Sequence, residues 1–317
     1  AGVVVFNTPG ANANAVKELT ICAMLLASRD IVSGITWQAT LVGKGAEVPK
    51  LVEKGKSQFG GIEIAGKTLG VIGLGAIGVK VANAAVALDM RVLGYDPYLT
   101  DENKSKLDPT ISLVSMEEVL AKSDFVTLHL PYLEATKNMI NADTIAKMKT
   151  GAVLINLSRG ELVNTTDIKA ALDSGKIRRY VVDFPTEDII GYPKIISIPH
   201  LGASTEEAED NCAVMAAAQL KDYLENGNIK NSVNFPNLSI GRRSAHRMTI
   251  AYHTGSGVIE KITAILGNAD YTLNFAERKS VGYAIIDTDV PLADGGEAQS
   301  IMESISDLDD IINIRIL

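Results

Sequence analysis

Three ionisable residues stand where strand-like runs end. They are Arg159 in Asn156-Leu157-Ser158-Arg159-Gly160, Glu187 in Asp183-Phe184-Pro185-Thr186-Glu187, and His200 in Pro199-His200-Leu201-Gly202. Together they could oxidise a 2-hydroxy acid. That reaction needs a base for the hydroxyl proton while hydride departs, and histidine titrates nearest neutrality, at about 6.5 when unperturbed. A carboxylate beside the imidazole favours its protonated form and fixes the ring. Arginine offers a planar fork that matches a substrate carboxylate and polarises the forming carbonyl. Each residue also has a plainer use, as a loop histidine, a helix-terminal arginine or a solvated acid. Convergence separates the two uses, because neighbouring parallel strands bring their carboxyl ends together.

A hydride acceptor has its own signature upstream. Residues 67–96, KTLGVIGLGAIGVKVANAAVALDMRVLGYD, read as strand, tight turn, helix and second strand. Gly73 allows the turn, Gly75 lets the backbone approach a pyrophosphate, and Gly78 lets the helix lie close to the strand. The exposed N–H groups of the helix start favour an anion. Asp96 follows Gly78 by about the interval expected for the acid that holds the ribose hydroxyls. A carboxylate there repels a 2′-phosphate, so NAD is expected over NADP.

These residues need a scaffold, and the chain supplies alternating short β-branched runs and helices. Strands are expected at 68–72, to Asp96, at 125–130, 152–157, 180–184 and 195–198, with helices at 116–122, 142–148 and 166–174. That alternation predicts an α/β fold with a doubly wound parallel sheet. Ligands bind at the carboxyl ends of such strands, where Gly73, Asp96, Pro131, Arg159, Asp183 and His200 fall. Before this unit, residues 3–6 read as a buried strand. Residues 15–33 read as a helix capped by Asn12 or Asn14, apolar around much of its girth, and hence buried, between subunits. Residues 34–66 read as connection. After it come a long helix over 205–226 and a linker over 231–238. Then follow a strand at 247–253, a helix at 257–268, strands at 271–278 and 282–290, a helix at 296–306 and a strand at 311–317. That order is βαββαβ, the split arrangement of a small separate domain.

The bulk numbers narrow the partners. At 317 residues, 46% of them hydrophobic, the chain can fill more than one core. A net charge of -8 and a sequence pI near 5.1, without a basic patch, exclude a nucleic-acid surface. The longest apolar run, residues 21–27, is far short of a membrane span. No metal cluster is expected. Cys22 and Cys212 lie in apolar helical patterns, which predicts buried reduced thiols and a cytoplasmic protein. Because the sequence opens directly in a strand-like run, an upstream segment is expected to precede it.

The motifs GLGAIG followed by YDP, His129-Leu130-Pro131, INLSRGELV, DFPTE and PHLGAST, with NTPGANANAVKEL near the start, resemble the NAD-dependent D-2-hydroxyacid dehydrogenases across nearly the whole chain. The resemblance implies that Arg159, Glu187 and His200 are the catalytic residues. It adds cofactor contacts from Ala76, Ile77, Leu157, Ser158 and Asp183 to those from Gly73, Gly75, Gly78 and Asp96. It also implies a Rossmann domain over 11–203, the remnant of a flavodoxin-like substrate domain in 1–10 and 204–238, and an ACT regulatory domain over 239–317. An ACT module implies an amino-acid effector, and it favours 3-phosphoglycerate as substrate, at the entry to serine biosynthesis. Another 2-hydroxy or 2-keto acid is the alternative chemistry. An NAD-sensing protein that works by assembly is the alternative class. Homo-oligomerisation is expected from the apolar first helix and the open sheet edges. Two departures stand out. Asp183-Phe184-Pro185-Thr186-Glu187 is one residue shorter than the family's Asp-x-Phe-x-x-Glu, and the basic residues for a substrate phosphate are expected upstream of residue 1.

Overall fold

The computed structural model describes residues 2–255, 257–267, 270–289 and 297–317. The chain divides into two compact units, Asn12–Glu209, and Asp210–Leu317 together with the residues up to Ala11.

In the first unit, α1 (Ala13–Ser28), α2 (Ile31–Ala39) and α3 (Val48–Gly55) precede β1 (Thr68–Ile72), α4 (Ala76–Ala87) and β2 (Arg91–Tyr95). The chain continues through α5 (Asp101–Ser105), β3 (Ser112–Leu113), α6 (Met116–Lys122), β4 (Phe125–Leu128), α7 (Ala142–Lys147) and β5 (Ala152–Asn156). It then runs through α8 (Thr165–Asp173), β6 (Ile177–Val182) and β7 (Ile195–Ser197) into α9 (Glu206–Asn226), which crosses into the second unit. The seven strands pair parallel in the order β3-β2-β1-β4-β5-β6-β7. Order reverses between β1 and β4, so a crevice opens beyond their carboxyl ends.

The sheet is covered on both faces, which is why its strands read as near-continuous apolar runs. Leu69, Val71, Phe125, Val153, Ile155 and Val181 pack with Met24 of α1 and Val79, Val81 and Ala82 of α4. Their alternates Ile72, Val126, Leu128, Leu154 and Val182 pack with Val119 of α6, Ile145 of α7 and Ile168 and Leu172 of α8. Side chains alternate faces along a strand, so one apolar run feeds two cores.

The helix expected over 15–33 is instead two, bent by 68°. Arg29 is extended, and Asp30 leaves the helix to meet Arg179 of β6 at 3.0 Å. Asn12 occupies the N-cap position without a side-chain bond, and Asn14 donates to Glu18 instead. Residues 34–66 are more than connection, since they hold the end of α2, all of α3 and two short 3-10 turns. Both cysteines are free, as expected, but contrary to expectation Cys22 is exposed and Cys212 only half-buried. Helix α1 buries one face only, and Cys22 falls on the other. Among the described residues no single helix is long and apolar enough to cross a membrane.

The second unit holds β8 (His246–His253), α10 (Val258–Leu266), β9 (Tyr271–Arg278), β10 (Val281–Thr288), α11 (Glu297–Ser306) and β11 (Ile311–Ile316). Its sheet is antiparallel, in the order β11-β8-β10-β9. The βαββαβ order is therefore as expected. The expected end of the helix at Asn268, end of the strand at Val290 and start of the helix at Gly296 lie outside the described residues. Residues 3–6 are not a buried strand. Only Phe6 bridges, to Ser232, while Val3 and Val5 are exposed. The Asn234 amide accepts from the Val5 N–H and donates to the Val3 carbonyl, so a side chain replaces the missing strand partner.

Candidate active site

The glycine turn opens where β1 ends. Gly73 has φ +95°, and a Cβ there would come 2.4 Å from the His129 carbonyl oxygen. No L side chain fits that turn without strain. A Cβ on Gly78 would lie 1.9 Å from the Gly73 carbonyl oxygen, so α4 packs on the strand end only because Gly78 has none. Gly75, by contrast, faces open space, with no atom within 4 Å of its would-be Cβ. Gly75 is the N-cap of α4, which has no acidic residue in its first turn. Ala76 is exposed there and Ile77 half-buried. A negative group can therefore approach bare N–H donors at this point.

Asp96 follows β2 directly. Its Oδ2 accepts from the Leu74 N–H at 2.8 Å, and its Oδ1 accepts from the Tyr98 N–H at 2.8 Å. The carboxylate thus holds the glycine turn against the end of β2. It keeps free lone pairs on both oxygens for ribose hydroxyls. Open space at Gly75, a helix start and an anchored acid together fit a dinucleotide.

Beyond β5, buried Asn156 shapes the next loop. Its Nδ2 donates to the Arg159 carbonyl at 2.8 Å and its Oδ1 accepts from the Ser158 N–H at 3.2 Å. The Ser158 hydroxyl donates to the Leu128 carbonyl at 2.6 Å, tying this loop to β4. Leu157 is buried beside it, and the Arg159 side chain emerges exposed. One guanidinium donor meets the Ser158 carbonyl at 2.6 Å, which leaves the rest of the fork for a ligand.

The ends of β6 and β7 complete the site. Asp183 is fully buried, and neither of its side-chain oxygens meets a hydrogen-bond donor outside its own residue. Burial raises its pKa above the usual carboxylate value, against the opposing pull of His200 and Arg159. The Phe184 ring lies 4.5 Å from the His200 ring and 6.0 Å from the Arg159 guanidinium carbon, so it stands between base and clamp. A cavity of about 560 Å³ is lined by Asp183, Phe184, His200, Gly160, Glu161 and Lys137, among others. That volume suits a small ligand with part of a cofactor.

The structure thus brings Asp183 and His200 to one cavity, with Arg159 beside its Phe184 wall. It does not bring Glu187 there. Glu187 is exposed, does not line the cavity, and makes no hydrogen bond or ion pair among the described residues. Three participants were missed by sequence reasoning. Phe184 and Lys137 carry no spacing signal, and they enter only through the folded loops. His129, noticed only as part of a motif, presses its carbonyl against Gly73 and keeps an unpartnered, buried Nδ1. Its Nε2 lies 3.1 Å from the Thr127 hydroxyl, and burial pushes its pKa down to about 4.

Residues 21–202 match the D-isomer specific 2-hydroxyacid dehydrogenase, NAD binding domain, family. The chain belongs to the D-2-hydroxyacid dehydrogenases and carries their NAD-binding domain. Among its relatives is D-3-phosphoglycerate dehydrogenase of Haemophilus influenzae, 32% identical over 333 residues that cover 100% of this chain and 76% of that protein. The enzyme of the same name from Methanocaldococcus jannaschii is 38% identical over 244 residues, which cover 75% of this chain and 44% of that protein. The chain therefore spans three quarters of one relative and under half of the other. The solved D-isomer specific 2-hydroxyacid dehydrogenase of Lactobacillus delbrueckii ssp. bulgaricus, in its NAD complexed form, matches with a TM-score of 0.60 at 25% identity. That match covers 73% of this chain and 72% of that one.

Proposed function

We propose that this NAD-dependent 2-hydroxyacid dehydrogenase oxidises 3-phosphoglycerate to 3-phosphohydroxypyruvate. The observation that carries the reading is the cavity that the His200 imidazole and the buried Asp183 carboxylate share, with the Arg159 guanidinium beside its Phe184 wall, in the parallel sheet that carries the glycine turn. The Gly73–Gly78 turn and the start of α4 would hold the pyrophosphate of NAD, Asp96 its ribose, and Leu157, Ser158 and Asp183 the nicotinamide end. When bound, NAD supplies the two-electron acceptor for the substrate's C2 hydride. His200 takes the hydroxyl proton and later passes it to water. Arg159 holds the substrate carboxylate and draws electron density from the forming carbonyl. Lys137, a cation on the cavity wall, suits an anionic substrate.

Names carried by the relatives support the choice of 3-phosphoglycerate over other 2-hydroxy acids. The βαββαβ order of the second unit supports its reading as an ACT-type module for an amino-acid effector. Exposed Ile31, Val32 and Ile35 on α2 support self-association, since a second copy would cover them. Profiling NADH formation with 3-phosphoglycerate, D-glycerate, D-lactate and D-2-hydroxyglutarate tests the assignment. The phosphorylated acid is expected to give the highest kcat/KM, and a preference for any other acid overturns it.

A further inference from the structure

The three strands that end at the site lie side by side in the order β5-β6-β7, with Asn156 beside Val182 and Val182 beside Ser197. Arg159 follows the first of them and His200 the last, so a side chain off the end of the middle strand can stand between clamp and base. In this chain that side chain is Phe184, because the shortened loop sets it directly after Asp183. Its ring centroid lies 4.5 Å from that of His200, with the planes tilted by 45°, and 6.0 Å from the Arg159 guanidinium carbon. Its root packs on the loop after β5, since a Cβ at Gly160 would come 3.3 Å from Phe184 Cβ. Aromatic pairs attract at centroid separations of about 4.5–7 Å, and a cation within about 6 Å of a ring does the same. The imidazole is therefore held firmly, and the guanidinium sits at the limit. His200 is otherwise exposed, and among the described residues no hydrogen bond or ion pair holds its ring.

We propose that Phe184 is a positioning residue for the dehydrogenation: its ring braces the His200 imidazole and spaces it from the Arg159 guanidinium. A 2-hydroxy acid carries its carboxylate and its reacting hydroxyl on adjacent carbons, so clamp and base must stand at one fixed separation. A rigid ring that packs against the imidazole and reaches the guanidinium sets that separation. It also removes the rotation that would carry the imidazole away from the hydroxyl. The same ring serves once the proton has moved. In the step, the C2–H electron pair leaves as hydride to NAD, and the hydroxyl proton passes to His200 and then to water. The imidazolium formed in between lies within reach of an aromatic face that attracts a cation. That face carries no lone pair to take the proton, so it steadies the charged base without competing for what the base has gained.

This inference rests on the dehydrogenase reading, and one arm of its test needs no turnover. The chain has four histidines, so the imidazole C–H signals of His200 are readily assigned by NMR through His200→Gln. Phe184→Leu keeps apolar bulk but removes the ring current, and it is expected to move those signals. Phe184→Tyr keeps the ring and is expected to leave them near their original positions. Signals indifferent to Phe184→Leu overturn the brace. In steady-state assays with 3-phosphoglycerate, Phe184→Leu should lower kcat about 3- to 30-fold, the worth of one such ring contact, with KM and the NADH Kd each within about threefold. Phe184→Tyr should recover most of that kcat. A merely structural role would instead lower the Tm and leave kcat unmoved, and that result overturns the proposal. If the leucine variant does not fold, Phe184→Met, unbranched and without a ring, carries the same two readouts. A chain inactive on every 2-hydroxy acid sinks the proposed function, and the NMR arm alone then upholds or overturns the brace.

Discussion

Alanine at Gly78 and alanine at Gly75 should fail in opposite ways. At Gly78 the new Cβ would meet the Gly73 carbonyl oxygen at 1.9 Å and its carbon at 2.9 Å, both rigid backbone atoms. Relieving that clash to a tolerable approach means moving α4 off β1 by roughly 1.3 Å, and overpacking of this kind costs about 1–3 kcal/mol. The packing of Val79, Val81, Ala82 and Ala85 against the sheet loosens with it. For a unit of this size about 2 kcal/mol is a Tm drop of roughly 4–8 °C. At Gly75 the backbone has φ −72° and ψ −165°, which alanine adopts freely, and the space is open. Stability should therefore hold within about 1 kcal/mol, because the gain in unfolded-chain stiffness offsets a poorer N-cap. The methyl group instead stands where a pyrophosphate must come close, so NADH affinity should fall at least about tenfold, or ~1.4 kcal/mol. Calorimetric melting and NADH fluorescence titration of both variants measure the two effects. An unchanged Tm for Gly78→Ala, or an unchanged NADH Kd for Gly75→Ala, refutes the division of roles.

Arg159→Lys keeps the charge but loses the fork, and kcat/KM should fall about 30- to 100-fold, roughly 2–3 kcal/mol, in steady-state assays. Asp96→Ser removes the acceptor for Leu74 and for the ribose, so NADH should bind at least about tenfold more weakly while the gap to NADPH narrows in competitive titration. Half-buried His129 is held neutral, with a folded pKa of about 4 against 6.5, so its stabilising contribution is present above pH 6.5 and is lost as pH falls towards 4. After discounting its partial exposure the loss is on the order of 2 kcal/mol, and His129→Gln should flatten the melting temperature across that window. For Asp183 the sign is reversed, because burial raises an acid whose ordinary value is 3.8. Whatever stability its neutral form contributes is present below pH 3.8 and lost as pH rises. Asp183→Asn should thus melt higher than the unsubstituted chain at pH 8, with the difference vanishing below the ordinary carboxylate range in calorimetric melts.

The doubly wound sheet was legible because strands buried on both faces leave runs such as Val153, Leu154 and Ile155 that tolerate no polar break. The glycine turn was legible because its constraints are backbone constraints, written in residue type at Gly73 and Gly78. What stayed hidden depends on side chains that act at a distance. Asp30 ends the first helix by reaching Arg179, about 150 positions away, and no local pattern foretells that. Asn234 substitutes for a strand partner of Val3 and Val5 in the same way. At the site, Arg159 and His200 could be found from their places at strand ends. Phe184 between them could not, because its position depends on how a shortened loop folds back. The same shortening leaves Glu187 outside the cavity and Asp183 inside it.

The account stands or falls on His200 as the group that takes the substrate's proton. Turnover of 3-phosphoglycerate should be compared between the unsubstituted chain and His200→Ala, with NADH binding measured on the same samples. NADH affinity within about twofold and turnover lower by at least about 10² is the predicted result. Undiminished turnover in the variant would contradict it.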